Sequence, residues 1–318
     1  MLGITLYPKG VSYADITDIA KNAEDAGFEG LYFVEQVGNN DALAAAQVAA
    51  VATRTLIVGT NIVNGYMRIP CHLAAQAMAV DEISSGRLVL GVGASHSYRV
   101  KMMGLTWKPA VDYLSETTDT LRAAFAGEAI DGAPLGRAAK HQIPIHWAGV
   151  ATASIAAAGA KADGLMKFLA PIPRIKEARA IFDQNARDAG VNPADKPISL
   201  LTPVFLSDDL DAAFNAARGF LVYYAAMPIY KRIFSAAGFE EEIAAIHRED
   251  TGDAAAIARH ISDALLDAIL VIGSAERCRD RMAELTEAGI DVPLLAPQAV
   301  GGNAPDSAAA LIAAFRSR

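Results

Sequence analysis

A chain of 318 residues is long enough for two average domains, or for one α/β barrel with insertions. Its composition, 53% hydrophobic and 20% charged, is that of a globular protein, and much of the apolar content is alanine in helical runs. A net charge of -8 without a cluster of lysine or arginine argues against nucleic acid and anionic membranes as partners.

The cysteines and the first residues bear on the compartment. Cys71 and Cys278 lie far apart in segments that look helical, so we expect neither a disulfide framework nor a metal site. The first ten residues have no basic stretch leading into an apolar one, and no signal peptide is predicted. The longest uncharged run, residues 142–160, is rich in alanine and contains Pro144 and Gly149, which favours strand, loop and helix over a membrane span. We therefore expect a cytoplasmic protein.

Short apolar runs alternate with longer alanine-rich stretches along the chain, which predicts βα units and a parallel sheet. Two late runs, 267–273 and 292–297, both look extended. We favour 292–297 as the eighth strand because a helical stretch of suitable length, SAERCRDRMAELTEAG, precedes it. The first seven strands are predicted at 3–7, 31–34, 55–59, 87–93, 143–149, 163–168 and 197–206.

Eight strands with eight helical partners predict a single (β/α)₈ TIM barrel over residues 1–318. Two segments interrupt the rhythm and are predicted insertions, at about 96–109 and 219–272, where lids and substrate pockets are usually built. A doubly wound sheet is the alternative. Residues 91–96, GVGASH, lack the third glycine of a dinucleotide fingerprint and argue against it.

The residues that follow the strands of a barrel converge on one face, where its active site lies. Here they include no Ser/His/Asp group with supporting context, no HExxH and no phosphate loop ending in Lys-Ser or Lys-Thr. Small and amide residues dominate instead. Such a site suits a planar organic cofactor that carries its own reactivity, although ordinary loops without a catalytic role would read the same way.

Four segments resemble, in order and spacing, the bacterial-luciferase-like superfamily: EDAGFEGLYFVEQ, TLIVGTNIVNGYMRIPCHLAAQAMAVDEISSGRLVLGVGASH, IPIHWAGVATASIAAAGAKADGL and VIGSAERCRDRMAELTEAGID. The similarity extends to its coenzyme F420 (deazaflavin)-dependent branch, which includes methylenetetrahydromethanopterin reductase. It covers nearly the whole chain. The resemblance implies a luciferase-like barrel with the deazaflavin ring at the carboxyl ends of the strands.

The resemblance also implies the site residues. It places a non-proline cis peptide at Asn61–Ile62, bulging toward the ring, and a loop that closes over the tail of the cofactor at 93–96. The loop at 148–151 lies at the ring or phosphate side. The residues expected to contact the cofactor are Thr5, Asn61, Ile62, Val63, Gly93, Ala94, Ser95, Ala148, Gly149, Val150, Ala151 and Lys167. The expected catalytic residues are Glu35, Gln36 and His96, of which His96 could bind phosphate, donate a proton or only hydrogen-bond its loop.

Three departures from the family bear on the substrate. Thr5 stands where the methylenetetrahydromethanopterin reductases carry a glutamate, Glu35–Gln36 replaces an aspartate-histidine pair, and Ala94 replaces a glutamate of sugar-phosphate dehydrogenases. Without a strong acid-base pair, hydride delivery to an activated C=C or C=N bond of a small molecule fits better than alcohol oxidation. The alternatives are an FMN-dependent luciferase-like monooxygenase and a non-catalytic flavin-binding protein. A homodimer is expected, since relatives are often dimers.

Overall fold

The computed structural model describes residues 1–7, 9–36, 40–130, 136–249 and 253–316. Strands and helices alternate along the described chain, as the sequence predicts. The strands are β1 (Gly3–Leu6), β2 (Gly30–Phe33), β3 (Ile57–Thr60), β4 (Val63–Asn64), β5 (Leu88–Gly93), β6 (Ile145–Ala148), β7 (Gly164–Phe168), β8 (Ile198–Leu206), β9 (Val271–Gly273) and β10 (Val292–Pro297).

Helices follow the strands on the outside. They are α1 (Tyr13–Asp25), α2 (Ala42–Ala52), α3 (Pro70–Ser84), α4 (Ser97–Met102), α5 (Ala110–Ala126), α6 (Thr152–Lys161), α7 (Ile172–Asp188), α8 (Leu210–Ala225), α9 (Pro228–Phe234), α10 (Glu240–Arg248), α11 (Ala254–Ala258), α12 (Asp263–Ile269), α13 (Ala275–Glu287) and α14 (Ala304–Phe315). Short 3-10 turns lie at Gly65–Met67 and Pro193–Asp195, and a π-helical turn at Ser235–Phe239. None of the helices in the described ranges combines the length and apolarity needed to cross a membrane.

The parallel strands close into a ring, which confirms the predicted (β/α)₈ barrel. The order is β1, β2, β3, β5, β6, β7, β8 and β10, and β10 returns to pair with β1. The eighth strand is therefore the predicted run at 292–297. The rival run contributes only β9, which pairs with the last residues of β8, Val204–Leu206, outside the ring.

Predicted and observed strands differ at their ends. The run predicted from residue 55 becomes β3 only at Ile57, because the backbone N–H groups of Thr55 and Leu56 donate to Glu24 Oε1, at 2.6 and 2.9 Å, instead of to a neighbouring strand. A carboxylate of α1 thus completes the hydrogen bonding before the strand begins. The apolar residues continue beyond the hydrogen-bonded part of β3 at this end. The hydrophobic pattern alone therefore predicts a strand that is too long.

The core has three parts. The largest lies between the barrel and its outer helices, where α2 and α3 pack alanine and leucine against the strands. A second fills the space between α8, α9, α10, α12 and the end of β8. The third is the barrel interior around Tyr32, Met166 and Leu294. A Cβ built at Gly59 would lie 2.4 Å from the Tyr32 ring, so β3 needs glycine where that ring fills the interior.

Both predicted insertions contain helices. The first comprises His96, α4 and the loop to Pro109. The second contains the later part of α8, the helices α9 to α12 and the start of β9; its residues 250–252 lie outside the described part of the chain.

Candidate functional site

The carboxyl ends of the strands form a mouth with two chemically different halves. The polar half, defined as the ends of β2, β4, β5 and β6, carries small and polar residues at 35–36, 61–64, 93–96 and 148–151. The aromatic half, defined by Tyr7, Phe168, Phe220, Tyr224 and Tyr230, joins the ends of β1 and β7 to α8 and α9. In a barrel this face is the one on which chemistry occurs.

The loop between β3 and β4 contains a cis peptide bond at Asn61–Ile62, which confirms the predicted one. Both sides of the loop are tied to neighbouring strands. The Asn61 N–H donates to Phe33 O at 2.8 Å, and the Thr60 hydroxyl donates to Gly91 O at 2.9 Å. The loop therefore has one backbone path, set by β2 on one side and β5 on the other.

Glycine at position 93 lets three strand ends meet. A Cβ built at Gly93 would lie 2.6 Å from Ile62 Cδ1 and 3.5 Å from Ala148 Cβ. Three of the predicted cofactor contacts, on β5, β6 and the cis loop, are thus brought together. The next loop is strained, since Ser95 adopts φ 55, a left-handed conformation that side chains rarely take outside functional or turn positions.

Three buried polar atoms near this half have no hydrogen-bond partner among the described residues: Thr5 Oγ1, Asn61 Nδ2 and His146 Nδ1. Thr5 pairs in register with Tyr32, whose ring lies in the barrel interior, and a Cβ at Gly164 would lie 2.7 Å from the His146 ring. Because buried polar groups are normally paired, the open hydroxyl and amide suit a ligand with polar edges.

His146 lies on β6, and its side chain is buried. Burial lowers the pKa of its imidazole to about 4, and the charge of Asp163 opposes that effect only in part. The ring is therefore neutral at physiological pH and can donate from one nitrogen and accept at the other. His146 lies between Ile145 and Trp147, on the face of β6 that points into the barrel. The alternation of side-chain direction along a strand could have indicated this orientation.

The predicted loop at 148–151 leads into α6. No side chain caps this helix at Ala151, so the first N–H groups of α6 are left for solvent or an anion. Lys167 supports the loop from the outer side of β7: its side chain is buried, and Nζ donates to Gly149 O at 3.1 Å. Burial lowers the pKa of Lys167 to about 8. A direct contact between Lys167 and a cofactor stays a prediction.

Glu35 and Gln36, predicted to be catalytic, both line one open cleft beside α3. The Glu35 side chain is only 2% exposed; Oε1 pairs with Arg68 Nη1, and Oε2 accepts the Asn64 N–H at 2.9 Å. Gln36 lines an open cleft of about 290 Å³ together with Met67 and other side chains of the α3 region. Both carboxylate oxygens of Glu35 are thus already engaged, in the same cleft that Gln36 lines.

His96 lies half-buried before α4, and its ring stacks on Tyr98 with centroids 6.1 Å apart. Burial, and then the charge of Arg99, lowers the pKa of His96, which favours the neutral ring. Arg99 in turn donates to Tyr98 Oη at 3.1 Å and to the Tyr223 hydroxyl of α8. Side chains of the first insertion therefore meet those of the second across the mouth.

The aromatic half is a continuous set of ring contacts. Tyr224 packs edge-on against Phe168 at 5.0 Å and lies 5.1 Å from Phe220, between centroids. The hydroxyls of Tyr7 and Tyr224 interact, and this interaction raises the pKa of Tyr7 and lowers that of Tyr224. Burial nevertheless raises the pKa of Tyr224 overall, against the effects of Tyr7 and of the charge of Arg99, so the phenol is protonated at neutral pH. A protonated phenol can act as a proton donor.

The sequence pattern of luciferase-like monooxygenases matches residues 3–292. The 5,10-methylenetetrahydromethanopterin reductase of Archaeoglobus fulgidus is 24% identical over 303 residues, which cover 91% of this chain and 90% of the relative. The coenzyme F420-dependent tetrahydromethanopterin reductase of Methanopyrus kandleri superposes with a TM-score of 0.83 at 18% identity, covering 99% and 97% of the two chains. An F420-dependent secondary alcohol dehydrogenase, solved with an F420-acetone adduct, superposes at 0.77 with 19% identity, covering 100% and 99%.

Proposed function

The chain belongs to the luciferase-like monooxygenase family, and from this premise we propose that it is an oxidoreductase that uses coenzyme F420 to reduce an activated C=C or C=N bond of a small organic substrate. The observation that carries the proposal is the meeting of the cis loop, Gly93 and Ala148, where the buried amide nitrogen Asn61 Nδ2 has no hydrogen-bond partner among the described residues. Similar proteins named for F420 have the same barrel, which supports the choice of cofactor.

The polar half would hold the cofactor. Residues 61–63 lie where the ring is expected, and the Asn61 amide is available to its polar edge. Gly93 and Ala94 let the backbone come close to the tail, while the uncapped start of α6 offers N–H groups to a phosphate. Arginine and lysine are not required for such an anion site when helix N–H groups supply the donors.

When bound, the reduced deazaflavin supplies the hydride; the chain supplies orientation and a proton. Hydride addition to one atom of the double bond leaves a negative charge on the other atom of the activated system, and a proton must neutralise it. The Tyr224 hydroxyl can give that proton, because its raised pKa keeps it protonated at neutral pH. One hydride and one proton then complete the saturated product, and Tyr224 regains its proton from solvent. Glu35 is less suited, because both of its oxygens are engaged.

The aromatic half favours an uncharged, flat substrate. Rings of Phe168, Phe220 and Tyr230 surround Tyr224 and present apolar faces. Such faces stack on planar molecules but do not compensate a buried charge. Enones, imines and nitroaromatic compounds meet this description.

Cofactor titration is the direct test. Purified protein is titrated with F420 and, separately, with FMN, while absorbance and fluorescence are followed. We expect saturable F420 binding and then oxidation of reduced F420 in the presence of members of a panel of enones, imines and nitroaromatics. Tight FMN binding without F420 binding would reject the proposal.

An FMN-dependent monooxygenase is the second candidate, because the matching family is described by oxygenase chemistry. It predicts oxygen consumption with reduced FMN and the substrate panel. A third outcome, F420 binding without turnover of any panel member, would favour a flavin-binding protein without catalysis.

We also propose a homodimer formed through α2 and α3, adjacent helices of the outer layer. Val51 and Ile83 on these helices are 76% and 45% exposed. Burying such side chains against a second copy would remove apolar surface from water. Light scattering should give twice the chain mass, and Val51→Glu should give the monomer; a monomeric wild type contradicts the proposal.

A further inference from the structure

We propose that Arg68 and Glu35 are positioning residues that hold the cis loop in its cofactor-binding shape. We call one group of four side chains the Arg68 brace: Glu35, Arg68, Asp41 and Gln76. This inference rests on the proposed function, which places the cofactor at the loop. It gives Glu35 a role different from the catalytic one expected from the sequence.

Glu35 contacts the loop twice. Its backbone N–H donates to Ile62 O at 3.3 Å, and its carboxylate Oε2 accepts the N–H of Asn64 at 2.9 Å. The residue at the end of β2 therefore holds the residues on both sides of Val63. Because a carboxylate accepts from several directions, its position must be set by other contacts before it can set that of the loop.

Arg68 supplies those contacts. Its side chain is 8% exposed, and its three nitrogens reach three elements: Nη1 pairs with Glu35, Nη2 pairs with Asp41 Oδ2 at 2.5 Å, and Nε donates to Gln76 Oε1 at 3.0 Å. Asp41 is fixed in turn, since it caps α2 by accepting the N–H of Leu43 at 2.9 Å. The planar guanidinium thus joins the end of β2, the start of α2 and the middle of α3.

The brace places one positive charge, on Arg68, between two carboxylates, Glu35 and Asp41. Burial works to lower the pKa of Arg68, but the hydrogen bond and charge of Glu35 and the charge of Asp41 outweigh it, and the pKa ends above its usual value. Buried ion pairs of this kind contribute little net stability compared with apolar packing, because both charges lose water. Their main effect is on geometry, because the rigid planar guanidinium group donates hydrogen bonds in fixed directions and so restricts where its partners can lie. The brace therefore selects a loop conformation more than it stabilises the fold.

Arg68→Lys tests the role. Lysine keeps the positive charge beside Glu35 and Asp41, but a single ammonium cannot span the three partners of the guanidinium. Arg87→Lys is the matched control. Arg87 is also half-buried and multiply bonded, with donations to Leu56 O and Ala50 O, but it lies at the amino-terminal end of β5, the opposite end of the barrel.

Two readouts are needed. The first is amide hydrogen exchange of residues 61–67 in cofactor-free protein, which we expect to be at least about tenfold faster in Arg68→Lys and unchanged in Arg87→Lys. The second is the Kd for F420, which we expect to rise about tenfold or more in Arg68→Lys and to stay at the wild-type value in Arg87→Lys, even if Arg87→Lys lowers the melting temperature more.

The outcomes separate this inference from the proposed function. If the wild type does not bind F420, the proposed function fails, and the cofactor-positioning role fails with it, whereas the exchange data still decide whether the brace holds the loop. Unchanged exchange in Arg68→Lys overturns the inference whatever the Kd. Faster exchange with an unchanged Kd also overturns it, because the loop shape would then not matter to the cofactor. A Kd that follows the melting temperature across both variants shows a purely structural role.

Discussion

The two halves of the mouth differ in composition, although strands of the same parallel sheet form both of them. The polar half is made of glycine, alanine and amide residues held by backbone hydrogen bonds and by buried charges, and the amide nitrogen Asn61 Nδ2 has no partner in the part of the chain that the structure describes. The aromatic half is made of large rings that fill their own space and place one hydroxyl pair among them. One barrel mouth can thus carry two chemically different surfaces, because neighbouring strand ends need not share chemistry.

Tyr224→Phe should have the largest effect and should act on the aromatic half alone. Removing the hydroxyl removes the proton donor, so turnover should fall about 100-fold, while the Kd for F420 stays unchanged. Steady-state kinetics on the best panel substrate and the cofactor titration measure the two quantities. Tyr223→Phe, a neighbouring tyrosine that is 47% exposed, is the control. Full turnover in Tyr224→Phe would remove the proton donor from the mechanism.

Gly93→Val should change the Kd for F420, the quantity that Tyr224→Phe leaves unchanged. The new side chain would overlap Ile62 Cδ1, which already lies 2.6 Å from an ideal Cβ. The overlap should displace Ile62 and the cis loop, so we expect the Kd for F420 to rise about tenfold or more. Gly219→Val, on α8, is the matched control, because no atom of the described residues lies within 4 Å of an ideal Cβ at Gly219. This variant should bind F420 like the wild type. Equal Kd values for both variants would contradict the assignment of the polar half to the cofactor.

His146→Met tests the barrel interior beneath the polar half. The pKa of His146 is lowered to about 4 in the folded protein. The contribution of the neutral ring to the unfolding free energy is therefore fully present above the pKa of histidine in the unfolded chain. This contribution is lost as the pH falls toward the pKa of the folded state. Between pH 7 and 5 the wild type should therefore lose about 2 kcal/mol more unfolding free energy than His146→Met. Urea denaturation at both pH values measures it, with His72→Met as a control for losing a histidine. Identical pH slopes would show that His146 takes up a proton without penalty.

Arg99→Gln should have the smallest effect, since this residue joins the two halves at the exposed rim. It loses the bonds to Tyr98 and Tyr223 that bridge α4 and α8. Exposed polar contacts contribute up to about 1 kcal/mol, so the substrate KM should change no more than about fivefold. Lys101→Gln on the same helix is the control. A change of KM far beyond this range would mean that the bridge closes the mouth during turnover.

Most of the fold could be predicted because it depends on local pattern. The alternation of apolar runs with alanine-rich helices located all eight barrel strands, and the helical stretch before 292–297 selected the closing one. Strand ends were less accurate. Glu24 satisfies the N–H groups of Thr55 and Leu56, and a pattern of hydrophobicity does not register a carboxylate that lies elsewhere in the chain.

The candidate site could be predicted only where the family resemblance carried position-specific information. The cis bond at Asn61–Ile62 is such a case and is confirmed. The Arg68 brace and the Tyr7–Tyr224 pair were not predicted, although Arg68 and Tyr7 stand in or near the segments considered. Their partners come from other elements of the barrel, and no local spacing indicates which charge will meet which.

The barrel and the order of its strands could be predicted from the chain alone, because periodic burial is a property of short segments, and the family resemblance added the loop that carries the cis bond. The contacts that these segments make with one another depend on the folded structure. Closing the ring brought Glu35 onto Arg68 and the cis loop, and it brought Tyr7 onto Tyr224. Hydrogen bonds and charge pairs act over a few ångströms, so the roles of such groups follow from the partners that folding places beside them.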